Sequence, residues 1–235
     1  MRLQNIPINK ILFLDIETVP QFEKWNDLSN KMQLLWAKKT QFQREKEEIT
    51  AEDFYNDRAG ILAEFGKIIC ISCGVITEKN SFRVKSFYGH DEVKILSDFN
   101  DLLQTKFTSN QYLLCAHNGK EFDFPYIARR MIINQIPLPN LLDLHGKKPW
   151  EIPHLDTLEL WKFGDYKHFT SVDLLAEIFN IPTPKDEIDG SMVAEVYYKE
   201  NNLEKIRNYC EKDVLTVAQI FRKFRYESLL VVDEN

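Results

Sequence analysis

The sequence lacks a positive excess: its formal net charge is −6 at pH 7 over 235 residues, so no global basic field attracts a nucleic acid. A nucleic-acid partner would need a compact patch or bound cations. The chain also lacks any run near the roughly 18 apolar residues of a membrane helix, so no membrane partner is expected. The start, MRLQNIPINKILFLDIE, does not read as a secretory leader, because Asn9 and Lys10 interrupt its apolar run and acids follow it. Cysteine is scarce, with four in all. Cys70 and Cys73 form a C-x-x-C, but they lie three apart in KIICISCGVI, which reads as a strand. Side chains three apart in a strand point to opposite faces, so ordinary packing is expected rather than a redox or zinc pair. With no second pair at metal spacing, a reducing, cytoplasmic location is expected. No G-x-x-x-x-G-K or G-x-G-x-x-G segment supports a nucleotide hydrolase or dehydrogenase. Repeats and Pro/Gly/Ser-rich linkers are missing too, so residues 1–235 are expected to form one domain.

Hydrophobic residues make up 44% of the chain, enough for a core. Residues 11–17 predict a first strand. The glycine-free, charge-rich segment that follows has apolar residues at helical spacing (Trp25, Leu28, Leu34, Leu35, Trp36), and Thr50 with Asp53 reads as a helix start. A helical insertion over about 21–62 is therefore expected. Runs 67–77 and 81–88 predict a hairpin, 91–106 a helix, 112–117 a buried strand closed by the Asn118-Gly119 turn, and 125–134 a helix beginning at Pro125. Further helices are expected at 157–163, 171–180, 191–200 and 203–227, with Thr170 and Ser191 as N-caps. This order implies an α/β fold, a mixed sheet with helices packed on it.

The segment FLDIETVP is unusual for an apolar strand. Asp15 and Glu17 share the face of Ile11 and Phe13, although strand interiors are poor in Asp and a charge near a core is costly unless paired or metal-bound. A strand-end turn and a metal site are the two readings. In CAHNGKEFDFPYI, Asp123 stands before the expected helix, where it either complements the dipole or joins such a site. In the last helix, Asp213 falls within the apolar stripe of Ile206, Cys210, Val214, Val217 and Phe221, with Tyr209 at its edge. An Asp there is either paired at the core edge or aimed at a ligand. Two carboxylates 4 Å apart repel by about 4 kcal/mol at an effective dielectric of 20, so four converging ones need cations to stay ionised. Oxygen-only ligands select Mg²⁺ or Mn²⁺ over zinc, and a pair of such ions suits phosphodiester hydrolysis. A phenol with a pKa near 10 is a poor base, so Tyr209 suits holding a water.

FLDIET, HNGKEFDFPYI and YCEKD resemble, in order, the three motifs of the DEDD 3′–5′ exonucleases. The nearest likeness is to stand-alone bacterial proteins similar to the exonuclease domain of family-B DNA polymerases; EFGKIICISCG and LDTLELW add to it, and it covers residues 10 to 225. The resemblance implies a ribonuclease H-like fold with two divalent cations. It implies that Asp15 bridges both, that Glu17 and Asp213 hold the nucleophile-side ion, and that Asp123 serves the second directly or through water. Tyr209, four before Asp213, has the spacing of the tyrosine subclass. The implied activity is release of nucleoside monophosphates from the 3′ end of single-stranded DNA. An exoribonuclease and a silent nucleic-acid-binding module are the alternatives.

Thr18 and Val19 match positions that contact the terminal nucleotide in this family. His117 and Asn118 border the site and either touch the strand or form a turn; Phe122 either stacks on a base or packs. Asp156 is expected to be an N-cap rather than a fifth ligand. The strand-binding surface is expected within 115–170, which holds Lys120, Arg129, Arg130, Lys147, Lys148, Lys162 and Lys167 with His117, His145, His154 and His168. A mixed solvated surface is the alternative.

Overall fold

A computed structural model of the chain describes residues 2–165, 167–182 and 188–230. Strand β1 (Ile11–Pro20) runs through the centre of the fold. Ile11 and Phe13 point to one face, and Leu12, Leu14 and Ile16 to the other, and all five are buried. A strand that is apolar on both faces must be covered on both. On one side, Leu96 and Phe99 of α3 (Glu92–Lys106) and Phe124 and Ile127 of α4 (Asp123–Ile133) pack with Leu12, Leu14 and Ile16. On the other, Val214, Val217 and Phe221 of α8 (Leu203–Phe224) pack with Ile11 and Phe13.

The sheet order is β3-β2-β1-β4-β5, with β2 at Gly66–Ile76, β3 at Phe82–Tyr88, β4 at Leu113–Ala116 and β5 at Leu155–Asp156. The β1–β2 and β2–β3 pairs are antiparallel, and β1–β4 and β4–β5 are parallel. This is the mixed sheet with flanking helices expected of a ribonuclease H-like α/β fold. Cys70 packs beneath α8, whereas Cys73 packs on the α3/α4 side, so the C-x-x-C straddles the sheet as expected.

A bulge lies beside the acids. Glu17 pairs with Cys70 but Thr18 pairs with Ile68. Ile69 is the extra residue, so Ile69 and Cys70 both turn toward α8. The Ile68 N–H there donates to Glu92 Oε1 at 2.7 Å. Glu92 is in turn gripped at both oxygens by Arg130 of α4.

Residues 21–62 form the expected helical insertion, with α1 at Asn30–Glu47 and α2 at Ala51–Arg58. Thr50 caps α2 by accepting from the Asp53 N–H at 3.1 Å. Trp36, Phe54, Tyr55 and Phe65 give the insertion its own apolar cluster. The Tyr126 hydroxyl of α4 donates to Gly60 O at 2.7 Å and ties the insertion to the core. Gly66 allows this approach, since a Cβ there would lie 2.2 Å from the Tyr126 oxygen.

Three boundaries differ from expectation. Helix α4 opens at Asp123, two residues before Pro125; a proline within the first turn is tolerated because those N–H groups have no intrahelical partner. Helix α5 is Thr157–Lys162, and α6, Val172–Ile178, is capped by Ser171, which accepts from the Leu174 N–H. Thr170 instead turns its carbonyl to His117. The expected helix 191–200 is a short turn, α7 (Val193–Glu195), running into a π-helical turn, Val196–Glu200; Ser191 caps nothing and donates to Asp189. Among the described residues no helix is long and apolar enough to cross a membrane.

Candidate active site

The β1–β4 ladder ends at Phe13 and Cys115, while β1 continues and carries Asp15 and Glu17 on the face covered by α8. Tyr209 and Asp213, one turn apart, come down from α8 onto the same point. From the opposite side, Asp123 at the start of α4 accepts the Ile16 N–H. Four carboxylates from three elements therefore face one another. Oxygens of Asp15 and Glu17 and the Cys210 sulfur lie within 4.8 Å of one another.

Their electrostatics are those of uncompensated acids. Burial, then the charges of Asp213 and Asp123, pushes Asp15 well above the ordinary carboxylate range. Burial, then Asp15 and Asp213, does the same to Glu17. Burial raises Asp123 to about 7 against the pull of backbone N–H groups at Asp123 and Ile16. The Tyr209 phenol is pushed up by burial and by Asp213, Glu17 and Asp15, and hydrogen-bonds Asp213. The Asp123 Oδ1 atom is buried and has no hydrogen-bond partner. No Lys or Arg among the described residues counters Asp15, Glu17 or Asp123. Such a set is unstable by itself, and oxygen donors of this kind fit hard divalent cations. Asp15, Glu17, Asp123 and Asp213 are the residues able to hold them.

Cys210 is a participant that sequence pattern alone did not single out. Its sulfur lies 3.3 Å from Asp15 Oδ2 and 3.4 Å from Asp15 O. Burial raises its thiol well above the usual range, so it acts as a protonated donor to Asp15. The signal was faint: a cysteine in the apolar stripe, between the tyrosine and the acid.

The remaining candidates separate. Thr18 and Phe122 line a cleft of about 530 Å³ that opens beside Glu17. Val19 has its side chain wholly buried beneath α8, out of reach of that cleft. Both ring nitrogens of His117 are engaged, Nδ1 with Thr157 Oγ1 at 2.9 Å and Nε2 with Thr170 O at 2.8 Å, and burial lowers its pKa. Asn118 adopts φ 63°, and its N–H and that of Lys120 donate to Asp156. Asp156 also caps α5 through the N–H groups of Leu158 and Glu159. It is thus an N-cap, as expected, and a clamp on the loop leading to Asp123. The proposed basic surface needs correction. Arg130 is buried against Glu92, and His154 is buried between the Leu114 N–H and Leu141 O, so neither is available to a strand.

Residues 61–230 match the family described as "Predicted 3'-5' exonuclease related to the exonuclease domain of PolB". The chain belongs to this family. The match includes Asp123, Tyr209 and Asp213; β1 with Asp15 and Glu17, and most of the insertion, lie before it. A DNA polymerase from Pyrococcus glycovorans is 23% identical over 125 residues, covering 48% of this chain and 16% of the polymerase. The structure of the family B DNA polymerase from the hyperthermophilic archaeon Pyrobaculum calidifontis shares the fold, with a TM-score of 0.55 at 16% identity over 92% of this chain and 24% of the polymerase. The chain therefore spans about a quarter or less of these polymerases.

Proposed function

We propose that the chain is a two-metal-dependent 3′–5′ exonuclease of the tyrosine subclass. It removes nucleoside monophosphates from the 3′ end of single-stranded DNA. The observation that carries this reading is the convergence of four acids around the partnerless Asp123 Oδ1, three of them without a countercharge. Asp15, Glu17, Asp123 and Asp213 would hold two Mg²⁺ or Mn²⁺ ions, which when bound neutralise the carboxylates and stabilise charge developing at the phosphate and its leaving oxygen.

Within this reading the chain's own groups have distinct tasks. Asp15 faces both Asp213 and Asp123, which suits a shared ligand. Glu17 and Asp213 lie on the Tyr209 side, where water attacks; Asp123 serves the far side. Tyr209 stays protonated at neutral pH because its pKa is raised, so it orients the water by hydrogen bonding and does not deprotonate it. Cys210 steadies the ionised Asp15. One water is consumed: its oxygen bonds to phosphorus and gives up a proton to solvent, the P–O3′ bond breaks, and the 3′ oxygen leaves with a proton taken from solvent.

DNA is favoured over RNA because the family is defined by its relation to a DNA polymerase domain. The four free, buried cysteines suit a reducing compartment such as the cytoplasm. Residues 1–235 act in this reading as one exonuclease domain that includes the insertion. The test is incubation with 5′-labelled single-stranded DNA or RNA and Mg²⁺ or Mn²⁺. A ladder of shortening products, faster on DNA and abolished by chelator or by Asp15→Asn, is expected. No shortening with either metal overturns the nuclease reading, and faster RNA shortening overturns the choice of sugar.

A further inference from the structure

Helix α1 of the insertion buries one face and leaves the opposite one without cover. Trp36 and Thr40 are buried, and the Trp36 ring nitrogen donates to Ala51 O of α2 at 2.8 Å. At 3.6 residues per turn, Lys31, Leu34, Leu35, Lys38, Phe42 and Glu45 gather on the other side of the helix. All six are exposed. Phe42 is 81% exposed and Leu34 72%, although both are apolar. Large apolar side chains grouped in this way on a surface helix mark a contact face. The family match begins at residue 61, so α1 lies outside it.

The charges on this stripe are unspent. On the flanks of the helix, Lys39 pairs with Glu64 at 3.2 Å, and Arg44 bonds Thr40 Oγ1 and Ala37 O. On the stripe, Lys31 and Lys38 have no hydrogen bond or ion pair among the described residues, and Glu45 accepts from Gln41 at 2.7 Å without meeting a cation. The order Lys31, Leu34, Lys38, Phe42, Glu45 is symmetric about its middle residue. Lys31 and Glu45, of opposite charge, lie two turns to either side of Lys38. Leu34 and Phe42, both apolar, lie one turn to either side. Such a stripe complements itself when two copies run antiparallel. Lys31 then meets Glu45 of the second copy, twice by symmetry, and each Leu34 meets a Phe42. A parallel pair would set Lys31 on Lys31 and Glu45 on Glu45. With 18 residues, α1 is about 27 Å long and about 10 Å wide, so pairing along its length covers roughly 1,000 Å² over both copies, the lower bound of a specific interface.

We infer that α1 is a homodimer contact, in which two copies of the chain pack their α1 helices antiparallel about a two-fold axis at Lys38. The occupant is a second copy rather than a nucleic acid, because Glu45 repels a phosphate backbone but completes Lys31 across the axis. The two Lys38 side chains meet at the axis, where their stems cover the apolar contact and their ammonium groups turn to water. That like-charge contact and the small area make the dimer weak, with a dissociation constant in the micromolar range. The inference does not depend on the exonuclease reading.

The test is sedimentation equilibrium of the full chain across the micromolar range, where wild type should show a reversible monomer–dimer equilibrium. Phe42→Asp should weaken the dimer by at least about tenfold, since it puts an acid in the apolar contact on both sides of the axis. Lys31→Glu and Glu45→Lys should each weaken it about tenfold, because each creates two like-charge contacts. The double variant Lys31→Glu/Glu45→Lys rebuilds both pairs with the signs exchanged and should return within about threefold of wild type. Lys38→Met removes the repulsion at the axis and should tighten the dimer about threefold. All these positions are exposed, so the variants should melt with wild type at concentrations where the chain is monomeric. A wild type that stays monomeric throughout overturns the inference, as does a dimer that Phe42→Asp leaves unchanged. A double variant no better than the single ones overturns the antiparallel register and with it the inference. A monomeric chain whose binding of a single-stranded oligonucleotide is weakened by both Phe42→Asp and Lys38→Met gives this face to nucleic acid instead.

Discussion

Cys210 directs its thiol at Asp15, with Sγ 3.3 Å from Oδ2. A helix that packs on a strand thus also touches the acid the strand presents. A buried carboxylate with three acidic neighbours gains from any donor it can find. Cys210→Ala should therefore weaken Mn²⁺ binding several-fold and cost about 1–2 kcal/mol of stability through the cavity left behind. Cys210→Ser keeps a donor and should keep most of the affinity. Titration calorimetry on both variants checks this; equal affinity in wild type and Cys210→Ala removes the thiol from the account.

The Glu92–Arg130 pair is the second buried charge feature, and here both partners are present. Glu92 accepts from Arg130 Nε at 2.8 Å, from the Ile68 N–H at the bulge, and from Asn134 at 3.1 Å. Breaking one side leaves a buried charge alone, so Arg130→Met should cost about 3–5 kcal/mol in denaturant unfolding. A cost below 1 kcal/mol contradicts the role given to this pair in pinning the bulge beside Glu17.

Two buried groups pull the pH dependence in opposite directions. Burial lowers His154 to about 4, against 6.5 for a free imidazole. Between those values the unfolded chain binds more protons, so the contribution of His154 is complete above about 6.5 and is lost as pH falls toward 4, roughly 3 kcal/mol in all. His154→Gln should flatten the acid side of the stability profile.

Asp123 has the reverse sign. Its pKa rises from 3.8 to about 7, so the native chain keeps a proton that the unfolded chain has lost, and stability falls as pH rises through that window. In chelator, Asp123→Asn should come close to wild type near pH 4 and exceed it by roughly 4 kcal/mol at pH 8. Thermal or denaturant unfolding across pH measures both; an Asp123→Asn variant no more stable than wild type at pH 8 contradicts the uncompensated charge.

The centre of the fold was legible because β1 is apolar on both faces, which requires cover on both. The acids were legible for the opposite reason: Asp15 and Glu17 break an apolar strand, and Asp213 breaks an apolar helical stripe. Helix starts were less so. Pro125 suggested the first helical position, yet α4 opens at Asp123, since any position in the first turn tolerates proline. Arg130 and His154 read as surface cations, and only tertiary packing reveals that Glu92 and two backbone groups consume them.

The most direct measurement is Mn²⁺ binding to the metal-free chain, followed by titration calorimetry and by the shift in Tm. Wild type should bind saturably at millimolar metal or below and gain Tm. Asp15→Asn and Asp213→Asn should each lose at least tenfold in affinity while remaining folded, and Asp15→Asn should melt higher than wild type in chelator. A wild-type chain with no saturable binding, or an Asp15→Asn variant that binds as tightly, contradicts a shared cation site built from these acids.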